Sequence, residues 1–314
     1  MLYGVIDIGS STVRMAVYDI SPAGGAEMLL KKKHIVGLAG YVKDGRMTQA
    51  GIEKTVEILL EFRSFLDCFH IDHVRAFTTA ALRNASNSRE AVAEIERRTG
   101  LSIRVISGDE EATFDFIGAT HGLAGERGLL VDIGGGSTEL VAFAGGRIEQ
   151  KVSLAMGATA FHARFSAAVL PSRAECAAMR AAAQEVLAGA VSFARVKAPA
   201  ICGIGGTFKS GLALYRAVYG GDAADDLTME AARLSALIER FVRDRALPQE
   251  DVVRLMRAVP DRLPTILPGL VIASVIAEQF GTQRITYSDS GVREGFIYSE
   301  IIGGGAASFP CPQR

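Results

Sequence analysis

One turn pattern occurs twice in this chain, and it limits the folds open to it more than any other feature. Residues 5–18 read VIDIGSSTVRMAVY, and residues 130–143 read LVDIGGGSTELVAF. Each copy is an apolar strand ending in Asp, a tight Gly/Ser turn, and a second apolar strand. A hairpin of that composition presents backbone N–H groups and hydroxyls at its tip, which suits phosphate oxygens. Two copies predict two related lobes that address one ligand through its phosphates.

A chain of 314 residues is long enough for two domains with cores of their own. Strands alternate with helical periodicity through both halves, and each half opens with a hairpin. This pattern predicts an α/β protein with a mixed sheet in each lobe. The boundary is expected near Gly122–Arg127, giving lobes over 1–125 and 126–302, with a flexible tail over 303–314. Long helices are expected over 48–69, 88–99, 172–193, 228–245 and 268–280.

The net charge of −1 gives the chain no global pull on nucleic acid or anionic membrane. The N-terminus lacks a basic region followed by a long apolar run, so no signal peptide is expected. The apolar stretch Leu267–Ile276 contains Pro268 and is too short to span a bilayer. Cys68, Cys176, Cys202 and Cys311 match no metal spacing and read as reduced thiols of a cytoplasmic protein.

Several residues can carry chemistry. Asp132 and Glu139 lie on opposite arms of the second hairpin, where a hard cation bridging to phosphate wants oxygen ligands; Asp7 offers a third carboxylate. In Ser107-Gly108-Asp109-Glu110-Glu111, a capping box accounts for Glu110 and leaves Glu111 as a candidate to accept a proton from water. Thr79 and Arg83 follow a short strand, and an Arg there can clamp phosphate. Gly205-Gly206-Thr207 joins a strand to a helix, a fit for an anion, although the Walker ending is missing. His70 and His73 lack further ligands at zinc spacing and read as ordinary histidines.

These segments resemble the exopolyphosphatase/guanosine-pentaphosphate phosphatase family, of the acetate kinase, sugar kinase, heat-shock ATPase and actin superfamily. The resemblance runs from about residue 3 to residue 301 and is most specific at 131–139, 106–112 and Gly291-Val292-Arg293-Glu294-Gly295. It implies two actin-like, ribonuclease H-like lobes with a cleft between them. It implies that Glu111 is the catalytic carboxylate and that Asp132 and Glu139 serve a divalent cation, usually Mg²⁺. Ser10, Ser11, Arg83, Gly134, Gly135, Gly136, Ser137, Thr138, Gly205, Gly206 and Thr207 match its phosphate contacts, and Thr79 beside Arg83 adds a hydroxyl. The chain departs from the family pattern at Ser11, at Thr159-Ala160 and at Leu263-Pro264.

The expected activity is Mg²⁺-assisted hydrolysis of the terminal phosphoanhydride of polyphosphate, with guanosine pentaphosphate as the alternative substrate. From another class stands a binding or regulatory module that turns over weakly. Arg257, Arg262, Arg284 and Arg293 are candidates for a basic track, and a homodimer would lengthen it.

Overall fold

The structure, a computed structural model, describes residues 1–22, 24–120, 127–220 and 227–303. The chain forms two compact units, Met1–Glu111 with the stretch that begins at Phe296, and Ala112–Gly295.

The first unit is built on strands β1 (Leu2–Ile8), β2 (Thr12–Ile20), β3 (Ala26–Ile35), β4 (His73–Thr78) and β5 (Ile103–Val105), in spatial order β3-β2-β1-β4-β5. The hairpin strands pair antiparallel, and β4 and β5 add in parallel. Side-chain alternation divides the sheet into two faces. Ile6, Ile8, Val13, Met15 and Val17 bury against helices α1 (Gln49–Cys68) and α3 (Ser88–Thr99) through Leu59, Phe62, Leu66 and Ile95. The opposite parity places Lys33, Arg14, Asp7, Phe77 and Arg104 in one row across all five strands. Phe77 stacks on Phe296, and Arg104 pairs with Glu300 at 2.7 Å, so the closing segment of the chain belongs to this face.

Local signals set the helix ends. Thr48 caps α1 by accepting from the Gly51 N–H at 3.3 Å, and Gly100 ends α3 at φ 67°. Between these helices the one-turn α2 (Ala80–Arg83) follows β4, and α4 (Gly108–Thr120) follows β5.

The second unit repeats the plan with β6 (Gly128–Ile133), β7 (Thr138–Ala144), β8 (Arg147–Leu154), β9 (Ala200–Ile204), β10 (Thr228–Glu230) and β11 (Arg284–Ser288), in order β8-β7-β6-β9-β11-β10. Its helices are α5 (Ala158–Phe165), α6 (Arg173–Ala188), α7 (Gly205–Tyr219), α8 (Leu234–Phe241), α9 (Gln249–Ala258), α10 (Ile266–Phe280) and α11 (Val292–Phe296). Helix α10 is almost wholly buried, and Pro268 sits in its first turn, where a missing N–H costs no helical bond. Each unit is therefore the mixed sheet flanked by helices that the resemblance implies.

Three local expectations change. The start of the helix expected over 228–245 is strand β10, because Thr228-Met229-Glu230 pairs with β11 and buries Met229; helix follows only from Leu234. The helix expected over 172–193 ends at Ala188, followed by a 3₁₀ turn at Val191–Phe193. The short helices α2 and α5 offer too few turns for periodicity to mark them.

The units divide at Glu111/Ala112, whereas composition placed the boundary at 125/126. Residues 121–126, where that boundary was expected, lie outside the described residues. The division instead falls inside α4, whose first turn is capped by Ser107 and whose Phe116 packs on Phe143. Of the tail expected over 303–314, only Gly303 is among the described residues.

The junction of α4 with α11 requires glycine. A Cβ on Gly295 would overlap the Phe114 carbonyl, and one on Gly118 would overlap the Gly291 carbonyl. Backbone cannot rotate away as a side chain can, so overpacking here costs about 1–3 kcal/mol or more. Gly295→Ala should lower the thermal unfolding midpoint by several degrees; an unchanged midpoint would contradict this packing.

Candidate active site

In the first unit the turn after β1 closes with Gly9 N–H donating to the Thr12 carbonyl at 3.1 Å. The Ser10 carbonyl accepts from Ala39 N–H, and the Ser11 carbonyl accepts from Val36 and Gly37 N–H, at 2.9–3.0 Å. These bonds occupy the turn's carbonyls and the Gly9 N–H, so an anion here would be bound by the Ser10 and Ser11 N–H groups. Ser10 Oγ and Thr12 Oγ1 are buried without a hydrogen-bond partner among the described residues. Native structures seldom leave such groups unmatched, and a ligand is one explanation.

Asp7 lies opposite Arg14 in register, and Arg14 Nη1 donates to its Oδ2 at 3.2 Å. Thr78 Oγ1 and Thr79 N–H both donate to the Ile8 carbonyl, at 3.0 and 3.3 Å, tying the start of α2 to the end of β1. Arg83, at the end of α2, reaches Glu111 in the first turn of α4 at 2.5 Å. Its neighbour Glu110 forms the capping box with Ser107 and an ion pair with Arg104 at 2.5 Å. The Ser107 N–H is the main cause holding the Glu110 carboxyl below its ordinary range. Capping thus absorbs Glu110 and not Glu111.

In the second unit the equivalent bonds recur. Gly134 N–H donates to the Ser137 carbonyl at 2.9 Å, closing the turn. The N–H groups of Ala158, Thr159 and Ala160, at the start of α5, donate to the Gly134 and Gly135 carbonyls at 2.9–3.0 Å. Gly157 permits that approach, since a Cβ there would come within 2.5 Å of the Gly135 and Gly136 backbone. Thr207 Oγ1 donates to the Ile133 carbonyl at 2.7 Å, as Thr78 does to Ile8, and Thr138 Oγ1 donates to Met156. The Thr138 and Thr207 hydroxyls are therefore committed to holding the turn.

Asp132 and Glu139 are directly opposed across the β6–β7 pair. Spacing in both hairpins is identical, so Arg14 stands where Glu139 stands with no gap in the alignment. Like charges directly opposed on a sheet repel, and a cation between them removes that cost. Glu139 is buried and accepts from Ser153 Oγ at 2.6 Å. Asp132 lies over Gly205, where any Cβ would overlap its carboxylate. Among the described residues no cluster of three His, Cys, Asp or Glu could hold a metal. Mg²⁺ is suited to one or two carboxylates completed by water and substrate phosphate, so the pair fits it better than a caged ion.

The ends of β6, β9 and β11 lie in one row, with Asp132 beside Ile204 and Ile204 beside Ser288. Ligands of parallel sheets collect at such carboxyl ends. The Arg262 guanidinium lies against Gly206, at the start of α7, so that a Cβ there would overlap it. Arg284 sits at the opposite end of β11 from this row, and Arg293 is buried and pairs with Glu294 at 3.6 Å. Lys209, one turn into α7, pairs with Asp289 at 2.9 Å at the surface. Thr159 Oγ1, at one of the departures, is buried without a partner among the described residues. His73 stacks on Tyr3, as an ordinary histidine would. Burial raises the Cys176 and Cys202 thiols to about 11, in keeping with packing roles.

The family model described as the Ppx/GppA phosphatase family matches residues 16–302. The crystal structure of the Aquifex aeolicus Ppx/GppA family member is similar at 28% identity and TM-score 0.73, covering 98% of this chain and 99% of that one. An exopolyphosphatase from Cytophaga hutchinsonii shares the fold at 23% identity and TM-score 0.81, covering 97% of this chain and 98% of that one.

Proposed function

The chain belongs to the Ppx/GppA phosphatase family, and we propose that it hydrolyses the terminal phosphoanhydride of inorganic polyphosphate. The observation that carries this reading is the duplicated turn with divided labour: Asp132 opposed to Glu139 in one copy, Asp7 paired with Arg14 in the other. A symmetric phosphate clamp has no use for that difference, whereas hydrolysis needs a cation at one phosphate and acid–base chemistry at the attacking water.

Asp132 and Glu139 would hold Mg²⁺, which when bound neutralises charge on the phosphoryl oxygens. The N–H groups of Gly135, Gly136 and Ser137 and the start of α7 at Gly205, Gly206 and Thr207 would orient the phosphate, with the Ser10 and Ser11 N–H groups and the Thr79 hydroxyl serving in the first unit. Glu111 takes one proton from water as its oxygen bonds to phosphorus. The bridging P–O bond breaks, and its electron pair stays on the shortened chain. Positioning and electrostatics carry most of such a reaction.

Phosphate release from polyphosphate, guanosine pentaphosphate and ATP, measured side by side with Mg²⁺ and after chelation, tests this. Release fastest from polyphosphate, and lost on chelation, is the expected result. Faster release from guanosine pentaphosphate would move the assignment to that substrate. No release from any, with polyphosphate still raising the unfolding midpoint, would mark a binding module instead. Among the described residues no helix is long and apolar enough to cross a membrane.

A further inference from the structure

Sequence pattern makes Arg83 a phosphate clamp, and the structure gives its guanidinium a different partner. Nη1 donates to Glu111 Oε2 at 2.5 Å and to the Ile106 carbonyl at 3.3 Å, while Nε donates to Asn84 Oδ1 at 3.3 Å. The side chains of the pair are only 14% and 9% exposed. Charge-assisted bonds of this kind are short and directional, and a guanidinium anchored at several donors holds its plane fixed. A glutamate has three side-chain torsions, and a base must present one oxygen to water with near-correct aim. The Arg83 bond supplies that aim by fixing Oε2.

We propose that Arg83 is the positioning residue of Glu111: by fixing Oε2 it holds the carboxylate in the orientation from which Glu111 takes the proton of water, and it acts on the reaction through Glu111. This rests on the reading of Glu111 as the base. Nη1 has two N–H groups and spends them on Oε2 and the Ile106 carbonyl, so it has none for a phosphoryl oxygen. Other charged groups near the pair are Asp109, Glu110 and the buried Asp115, one turn on from Glu111 along α4, with Arg104 of β5 and Glu300 paired around Glu110.

The test uses the full chain with Arg83→Met and Arg83→Lys, alone and combined with Glu111→Gln. A positioning role predicts that Arg83→Met lowers kcat by about 100-fold and leaves KM within about threefold. Arg83→Lys should recover part of kcat, because it keeps the charge and loses the fixed fork. Removing the neighbouring cation favours the protonated carboxyl, so the acid limb of the kcat profile should move to higher pH in Arg83→Met. Tripolyphosphate, measured by calorimetry, should bind Glu111→Gln and the Glu111→Gln/Arg83→Met double variant within about threefold of each other, because the two residues act as one unit. Binding more than about tenfold weaker in the double variant, or a raised KM with kcat and acid limb unmoved, would show Arg83 touching phosphate and overturn the proposal. Full turnover in Glu111→Gln alone would instead defeat the base assignment. The carboxyl ¹³C titration of Glu111 then still decides the pair: a midpoint raised in Arg83→Met supports the coupling, and an unmoved one ends it.

Discussion

Glu111→Gln should reduce phosphate release by about 10²–10⁴-fold, the range over which a positioned general base contributes. The substitution keeps the side chain's shape and an oxygen that can still accept from Arg83, and removes the negative charge and with it the basicity. Binding of tripolyphosphate to the variant should stay close to wild type, since the phosphate-facing turns are untouched. The adjacent Glu110→Gln is the control. Glu110 accepts from Ser107 and Arg104, so its loss should cost stability of about 1 kcal/mol through weakened capping and leave turnover near normal. Steady-state phosphate release and thermal unfolding on both variants separate the two acids. Equal turnover losses would mean that the helix start, and not the base, had been damaged.

That contrast shows how far the sequence could be read. Glu110 and Glu111 are consecutive acids at a helix start, and helix rules explain any acid there. Capping-box spacing singled out Glu110, and the structure agrees through the Ser107 bonds. The partner of Glu111 was not legible, because Arg83 lies 28 residues upstream and their meeting depends on how β4 and β5 pair. The duplicated hairpin was legible for the opposite reason. Its register is local, and a strict two-residue alternation carries Asp7 and Arg14, like Asp132 and Glu139, to one face. The role of Gly157 lay between these cases. A glycine before Ala158 is visible, but that it lets α5 approach the Gly134–Gly136 turn emerges only from packing. Arg262 and Arg284 read alike as surface cations, and only topology puts one beside Gly206 and the other at the far end of its strand.

Gly205→Ala should impair the enzyme nearly as much as loss of a cation ligand, although Gly205 bears no side chain. Two constraints coincide at this residue. Its φ is +79°, in the left-handed region where an alanine is strained by about 1–2 kcal/mol. A Cβ built there overlaps Asp132 Oδ1, so either the carboxylate rotates away from Glu139 or the start of α7 shifts with its neighbours Gly206 and Thr207. The first outcome weakens the cation site and the second disturbs the Thr207 bond to Ile133 that steadies the turn. On either route turnover should fall by about 10–100-fold, the loss that follows when supporting groups of a metal site are disturbed. The two routes differ in what rescues them. If Asp132 is displaced, the Mg²⁺ concentration for half-maximal rate rises and excess Mg²⁺ recovers much of the activity. If α7 moves, Mg²⁺ does not rescue and the KM for polyphosphate climbs. Gly281→Ala is the companion measurement, because that residue also has positive φ, at +67°, with nothing near its absent Cβ. It should show the backbone strain as lost stability and keep its turnover. Wild-type activity in Gly205→Ala would mean that neither Asp132 nor the start of α7 serves the reaction.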